Sequence, residues 1–120
     1  MPVRAIRGAT RLTADDPIEM TEAVIELVET MLSRNETDQD ALISVIFTAT
    51  PDLVSMFPAA AARGLGLGEV PLICAQEIAV AGALSRVVRV LAHAEVDRRR
   101  SEISHVYLRG AEVLRADLAQ

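Results

Sequence analysis

The segment Arg86-Val87-Val88-Arg89-Val90-Leu91-Ala92-His93-Ala94 reads as a β-strand that is apolar on both faces, with Arg89 set in its middle. Taking a guanidinium out of water is costly unless a counter-charge meets it. No acid lies beside Arg89 within the strand. The counter-charge therefore comes from a carboxylate on another segment or from an anionic ligand, and the expectation here is an anionic ligand.

Working outward, the other segments read as an alternation of strands and short helices. Val3 to Leu12 is expected as the first strand, with Val3, Ala5, Arg7 and Ala9 on one face and Arg4, Ile6, Gly8 and Thr10 on the other. Asp16-Pro17-Ile18-Glu19 is a helix start, with an N-cap, a proline at N1 and an acid at N3 placed to close a capping box. Met20, Ala23, Val24, Leu27, Val28 and Met31 then form an apolar stripe at helical spacing, while Glu19, Glu22, Glu26 and Glu29 collect on a solvated face, and the helix is expected to end near Asn35. Ala41 to Ala49 is a second strand, apolar and β-branched in its middle. A turn at Thr50-Pro51-Asp52 and a short helix from Ala59 to Arg63, stopped by Gly64 and Gly66, follow. Val70 to Ala75 is a third strand, which Pro71 assigns to a sheet edge. Gly82 marks a turn before the Arg89 strand. After it come a charged connection, Asp97 to Glu102, a last strand, Ile103 to Leu108, and a loose tail from about residue 111. The order β-α-β-α-β-β-β implies one α+β domain spanning residues 1–120 with a mixed sheet and packed helices.

Composition narrows the partners. Of 120 residues, 51% are hydrophobic, yet Phe47, Phe57 and Tyr107 are the only aromatics, so the core is aliphatic. A chain this small with that much apolar surface is expected to share it with copies of itself. A net charge of −5 argues against nucleic acid or an anionic membrane as partner. All twelve basic residues are arginine, which excludes a Schiff-base or P-loop lysine and favours bidentate recognition of carboxylates. A single cysteine, Cys74, rules out an internal disulfide and a cysteine zinc cluster; His93 and His105 are too few for a metal site. Neither a signal-peptide apolar region nor a membrane-length apolar run is present, so a cytoplasmic protein is expected.

Five polar residues stand in apolar, strand-like settings: Arg7, Cys74, Glu77, Arg89 and Tyr107. Two arginines suit a dicarboxylate clamp, Glu77 suits a ligand hydroxyl, and the Tyr107 phenol suits a carboxylate. Each has a plainer reading. Arg7 is equally a solvated end-of-sheet residue, Cys74 a small buried hydrophobe, Glu77 an ion-pair partner of Arg89, Tyr107 an amphipathic core residue, and the histidines core or surface groups. The residues by themselves reach a small, oligomeric, anion-binding domain with neither metal nor covalent catalyst.

Several segments in order carry a resemblance. Val3-Arg4-Ala5-Ile6-Arg7-Gly8-Ala9-Thr10, Thr48-Ala49-Thr50-Pro51-Asp52-Leu53 with Phe57-Pro58-Ala59, and Val70-Pro71-Leu72 leading to Cys74-Ala75-Gln76-Glu77 resemble the trimeric, barrel-type (AroH-class) chorismate mutases. Arg89-Val90, His105-Val106-Tyr107-Leu108 and Val113-Leu114-Arg115 with Asp117-Leu118 continue it, so nearly the whole chain is covered. The resemblance implies a pseudo-α/β-barrel homotrimer with clefts between subunits, in the fold group shared with reactive-intermediate deaminases. It also implies the cofactor-free [3,3] rearrangement of chorismate to prephenate, a step towards phenylalanine and tyrosine. By resemblance, Arg89 lies beside the breaking ether oxygen and a substrate carboxylate, Arg7 and Tyr107 bind carboxylate, and Glu77 with Cys74 holds the ring hydroxyl. Phe57, Ala59, Arg63, Leu72, Ile73 and the tail residues Leu114 and Arg115 would line or cover the cleft from the neighbouring subunit or the mobile end. Departures are Ala60 where the family often has lysine, Ile73 for threonine, Ser104 for arginine, and a loop from Asp97 to Ser101 without the usual proline. Two other functions fit a trimer of this kind: an imine or enamine hydrolase, and a non-enzymatic metabolite-binding protein.

Overall fold

A computed structural model describes residues 2–115. The strands are β1 (Val3–Arg11), β2 (Leu42–Ala49), β3 (Leu72–Gln76), β4 (Val87–Glu95) and β5 (Val106–Leu108). The helices are α1 (Pro17–Arg34) and α2 (Pro58–Arg63), so the expected order of strands and helices holds. The five strands form one sheet in the order β3-β2-β4-β1-β5. β4 runs antiparallel to both β1 and β2, while β3 pairs parallel with β2 and β5 parallel with β1, so the sheet is mixed. β3 is an edge strand, where a proline immediately before it costs no ladder hydrogen bond on the open side.

The Arg89 strand is thus the centre of the sheet, but its faces are unequal. Val88, Val90, Ala92 and Ala94 are buried on the face covered by α1, against Met20, Val24, Leu27, Val28 and Met31. Arg89, Leu91 and His93 point the other way and are exposed or half-buried. The expectation of a strand buried on both faces is corrected accordingly: one long helix can cover only one side of a five-stranded sheet. Gly8, on β1, marks how closely α1 lies on its side. A Cβ there would fall inside contact distance of the Met31 sulfur and within 3.1 Å of Leu27 Cδ1.

The start of α1 differs in detail from a closed capping box. Asp16 caps it, its Oδ2 accepting from the Glu19 N–H at 2.8 Å. Glu19 does not return the bond; its carboxylate accepts from the Thr13 N–H (2.7 Å), the Thr13 hydroxyl and the Ala14 N–H, and so ties down the link from β1. At the other end Asn35 is buried. Its side-chain amide donates to the Met31 and Ser104 carbonyls and accepts from the Ser104 N–H, all at 2.8 Å, fastening the helix end to the approach to β5.

Several boundaries move, three of them with a clear physical reason. β3 begins at Leu72 rather than Val70, because Pro71 has no N–H to give the ladder. β5 is only Val106–Leu108, since His105 uses its ring rather than the ladder to bond β1: the Arg7 N–H donates to His105 Nδ1 at 2.9 Å. The tail forms a 3₁₀ turn, Ala111–Arg115, whose Ala111 packs with Ala9 and Tyr107. Asp117 and Leu118 lie outside the described residues.

Candidate active site

The sheet face that α1 leaves uncovered carries the charged groups. Register places them: Arg89 on β4 lies directly opposite Ala9 on β1 and Thr48 on β2, and Ala9 in turn lies opposite Tyr107 on β5. Arg7 sits two residues along β1 on the same face, opposite Leu91. Together Arg7, Thr48, Arg89, Tyr107 and Arg115 line a cavity of about 340 Å³, with Ile46 and Leu91 among its apolar walls. Strand alternation thus turns residues far apart in sequence into one cluster.

Glu77 joins this cluster from the edge. Its backbone N–H donates to the Ala49 carbonyl at 3.0 Å, extending the β3–β2 pairing by one residue beyond the strand. Its carboxylate Oε2 accepts from the Thr48 hydroxyl at 2.6 Å and is ion-paired with Arg89 Nε at 3.1 Å. The expectation that a ligand alone meets Arg89's charge is therefore corrected: Glu77 supplies a carboxylate from another segment. The Arg89 side chain is also 49% exposed against 19% for Glu77, so in the single chain the arginine stands at the mouth of the cavity rather than in the core. An ion pair this open contributes at most about 1 kcal/mol to folding, so its geometry matters more than its stability.

His105 stands behind the cluster. Burial first, and then the nearby charges of Arg7 and Arg115, hold its pKa below the ordinary 6.5. With Nδ1 accepting the Arg7 N–H, the neutral ring with its proton on Nε2 is the form that fits.

The other expected site residues lie elsewhere. Phe57 and Cys74 line a second cavity, of about 490 Å³, with Leu53, Val54, Met56 and Ala60. Cys74 pairs with Phe47, whose face is the helix-covered one, so its side chain packs towards the core and away from Arg89. Leu72 likewise packs on the core, and Ala59 is buried within it, leaving Ala60 to face the cavity. Ile73, one residue out of phase with Cys74, is 62% exposed. Arg63 closes α2 and is exposed, and Leu114 packs on the Ala9–Tyr107–Ala111 group. Sequence reading missed Thr48 as a site residue, although its place opposite Arg89 follows once β2 and β4 are known to pair. Among the described residues no group of three His, Cys, Asp or Glu gathers as metal ligands, and no helix is long and apolar enough to cross a membrane.

Comparison with known proteins identifies the family. The model of a family described as chorismate mutase type I matches residues 3–118. A chorismate mutase AroH of Thermus thermophilus is 47% identical over 117 residues, covering 97% of this chain and 96% of its own length. One from Bacillus subtilis is 38% identical over 120 residues, covering 99% and 94%. A solved chorismate mutase from Clostridium thermocellum superposes with a TM-score of 0.88 at 41% identity, over 91% of this chain and 97% of that one. With a family match along almost its entire length and the same fold, the chain belongs to the type I chorismate mutase family, and its reaction is that family's isomerisation.

Proposed function

We propose that this chain converts chorismate to prephenate with Arg89 as its electrostatic catalyst, Arg7 and Tyr107 as carboxylate ligands and Glu77 as the partner of the ring hydroxyl. The observation that carries the reading is the charge of the cavity on the open sheet face. Arg7, Arg89 and Arg115 meet there, with Glu77 as the carboxylate paired to Arg89. Arginines clustered in one cavity suit a substrate with two carboxylates, each of which a guanidinium fork can meet.

The chemistry asks for little else. A [3,3] rearrangement moves electron pairs around a ring and transfers no proton, so it needs no general base. What raises its rate is holding the reactive conformer and stabilising the negative charge that grows on the ether oxygen as the C–O bond breaks. A guanidinium whose Nε is already fixed by Glu77 meets that charge without reorienting, which is where electrostatic catalysis gains most.

The second cavity enters through assembly. Val54 (80% exposed) and Phe57 (72%) line it as an apolar rim that a lone chain leaves in water. A homotrimer with a pseudo-barrel of three sheets would cover this rim, and would bring one copy's Phe57, Ala59, Arg63, Leu72, Ile73 and Cys74 side against another's Arg89 side. Leu114 and Arg115 would close the cleft over the ligand. On this reading the chain is a single domain that acts in the cytoplasm in aromatic amino-acid synthesis, and it binds neither nucleic acid nor membrane.

The test is chorismate consumption followed by absorbance with purified protein, beside Arg89→Lys. The wild type is expected to turn chorismate over, and the lysine variant to lose most of the rate, because a point charge cannot hold Glu77 and reach the ligand with one planar fork. An unchanged rate in Arg89→Lys refutes the role. Sedimentation at three times the 12.9 kDa chain mass is expected, and a monomer refutes the interface site.

A further inference from the structure

We infer that Thr48 is a positioning residue for catalysis, fixing Glu77 so that Glu77 in turn fixes the plane of the Arg89 guanidinium. The inference rests on the role proposed for Arg89 and goes one step behind it. Thr48 Oγ1 donates to Glu77 Oε2 at 2.6 Å, and Arg89 Nε forms an ion pair with the same oxygen at 3.1 Å. Backbone pairing closes the triangle: Thr48 is the direct ladder partner of Arg89, and the Glu77 N–H is anchored on Ala49, the residue after Thr48. Two groups from neighbouring strands therefore converge on one carboxylate oxygen of Glu77, beside the cavity that Thr48 itself lines.

Each residue type suits that task. A glutamate has three side-chain torsions and, held only by a half-exposed arginine, would share the arginine's freedom. Threonine is β-branched, so its χ1 is stiff and its hydroxyl direction is set by the strand that carries it. The short hydroxyl-to-carboxylate bond passes that rigidity to Oε2, and the ion pair sets this fixed negative charge 3.1 Å from Nε, so it biases the orientation of the guanidinium. Supporting groups of this kind keep a charge aimed before the reaction begins.

The experiment compares Thr48→Val, which keeps the shape and removes the donor, with Thr48→Ser, which keeps the donor. Thr48→Ala repeats the deletion without added bulk should valine disturb the sheet. Steady-state kinetics with chorismate are measured for each, alone and in a Glu77→Ala background. Removing a hydrogen bond to a charged group is expected to lower kcat roughly tenfold or more with little change in KM. The serine variant is expected to keep most of the rate, and Thr48→Val is expected to add nothing once Glu77 is gone. A wild-type kcat in Thr48→Val overturns the inference. So does a rise in KM alone, which would mean a direct ligand contact, and so does a full additional loss in the Glu77→Ala background. Arg89→Ala separates the two levels. If it retains full activity, the reading of Arg89 fails; if it loses activity while Thr48→Val does not, only the role of Thr48 fails.

Discussion

Replacing Gly8 by alanine tests how the helix-covered face of the sheet sets the position of the open one. Gly8 lies between Arg7 and Ala9, and an added Cβ would point at α1. It would lie inside contact distance of the Met31 sulfur, 3.1 Å from Leu27 Cδ1 and 3.2 Å from Met31 Cγ. A methionine tip can often swing aside, but Met31 is 2% exposed and Leu27 fully buried, so both have core rather than solvent to move into. Overpacking of this kind costs about 1–3 kcal/mol. For a chain of 120 residues, unfolding entropy of about 2.1 cal/mol/K per residue makes each kcal/mol about 4 °C, so Tm should fall by about 4–12 °C. Thermal unfolding followed by circular dichroism reads this directly. Because β1 must move off α1 to make room, Arg7 should shift and kcat/KM should fall as well. An unchanged or higher Tm would refute the close contact between α1 and β1 at Gly8.

Two further outcomes follow from the same structure. His105 is held neutral in the folded chain, its pKa below 6.5 through burial and then the charges of Arg7 and Arg115. The folded state thus binds fewer protons than the unfolded one below that value, so the contribution is present in full above pH 6.5 and is lost as pH falls through it. His105→Asn, which can keep an acceptor for the Arg7 N–H but does not titrate, should flatten the fall of Tm between about pH 7 and pH 5; an identical acid slope in both proteins would contradict this. Asp16→Ala should lower stability by about 1 kcal/mol, about 4 °C in Tm, by orphaning the Glu19 N–H; no change would show that the Asp16 cap is not stabilising α1.

Much of this was legible because the signals are local. The Asp16–Pro17 start and the apolar stripe give α1 its bounds, Pro71 gives β3 its edge, and β-branched runs give β2 and β4 their identity. Which face of β4 lies open was not legible, since Leu91 and His93 read as apolar or neutral whether a helix or a second subunit covers them. Nor was the Glu77–Arg89 pair decidable, because twelve residues separate them and only the β3-β2-β4 order brings them together. Cys74 shows the same limit. Its alternation along β3 is plain, yet facing the core rather than Arg89 depends on its register with Phe47. Family resemblance assigned part of this set to a neighbouring subunit, and within one chain the residues line two cavities.

The most direct test of Arg89 as a transition-state group separates rate from affinity in Arg89→Ala. Single-turnover rates with chorismate and calorimetric Kd values for prephenate are measured on the same preparations. Removing a preorganised donor should cost about 10²–10³ in the single-turnover rate. The Kd should weaken by less than about tenfold, because the charge that Arg89 meets exists fully only while the ether bond breaks. A Kd that weakens in step with the rate would make Arg89 an ordinary binding group, and an undiminished rate would remove it from the mechanism.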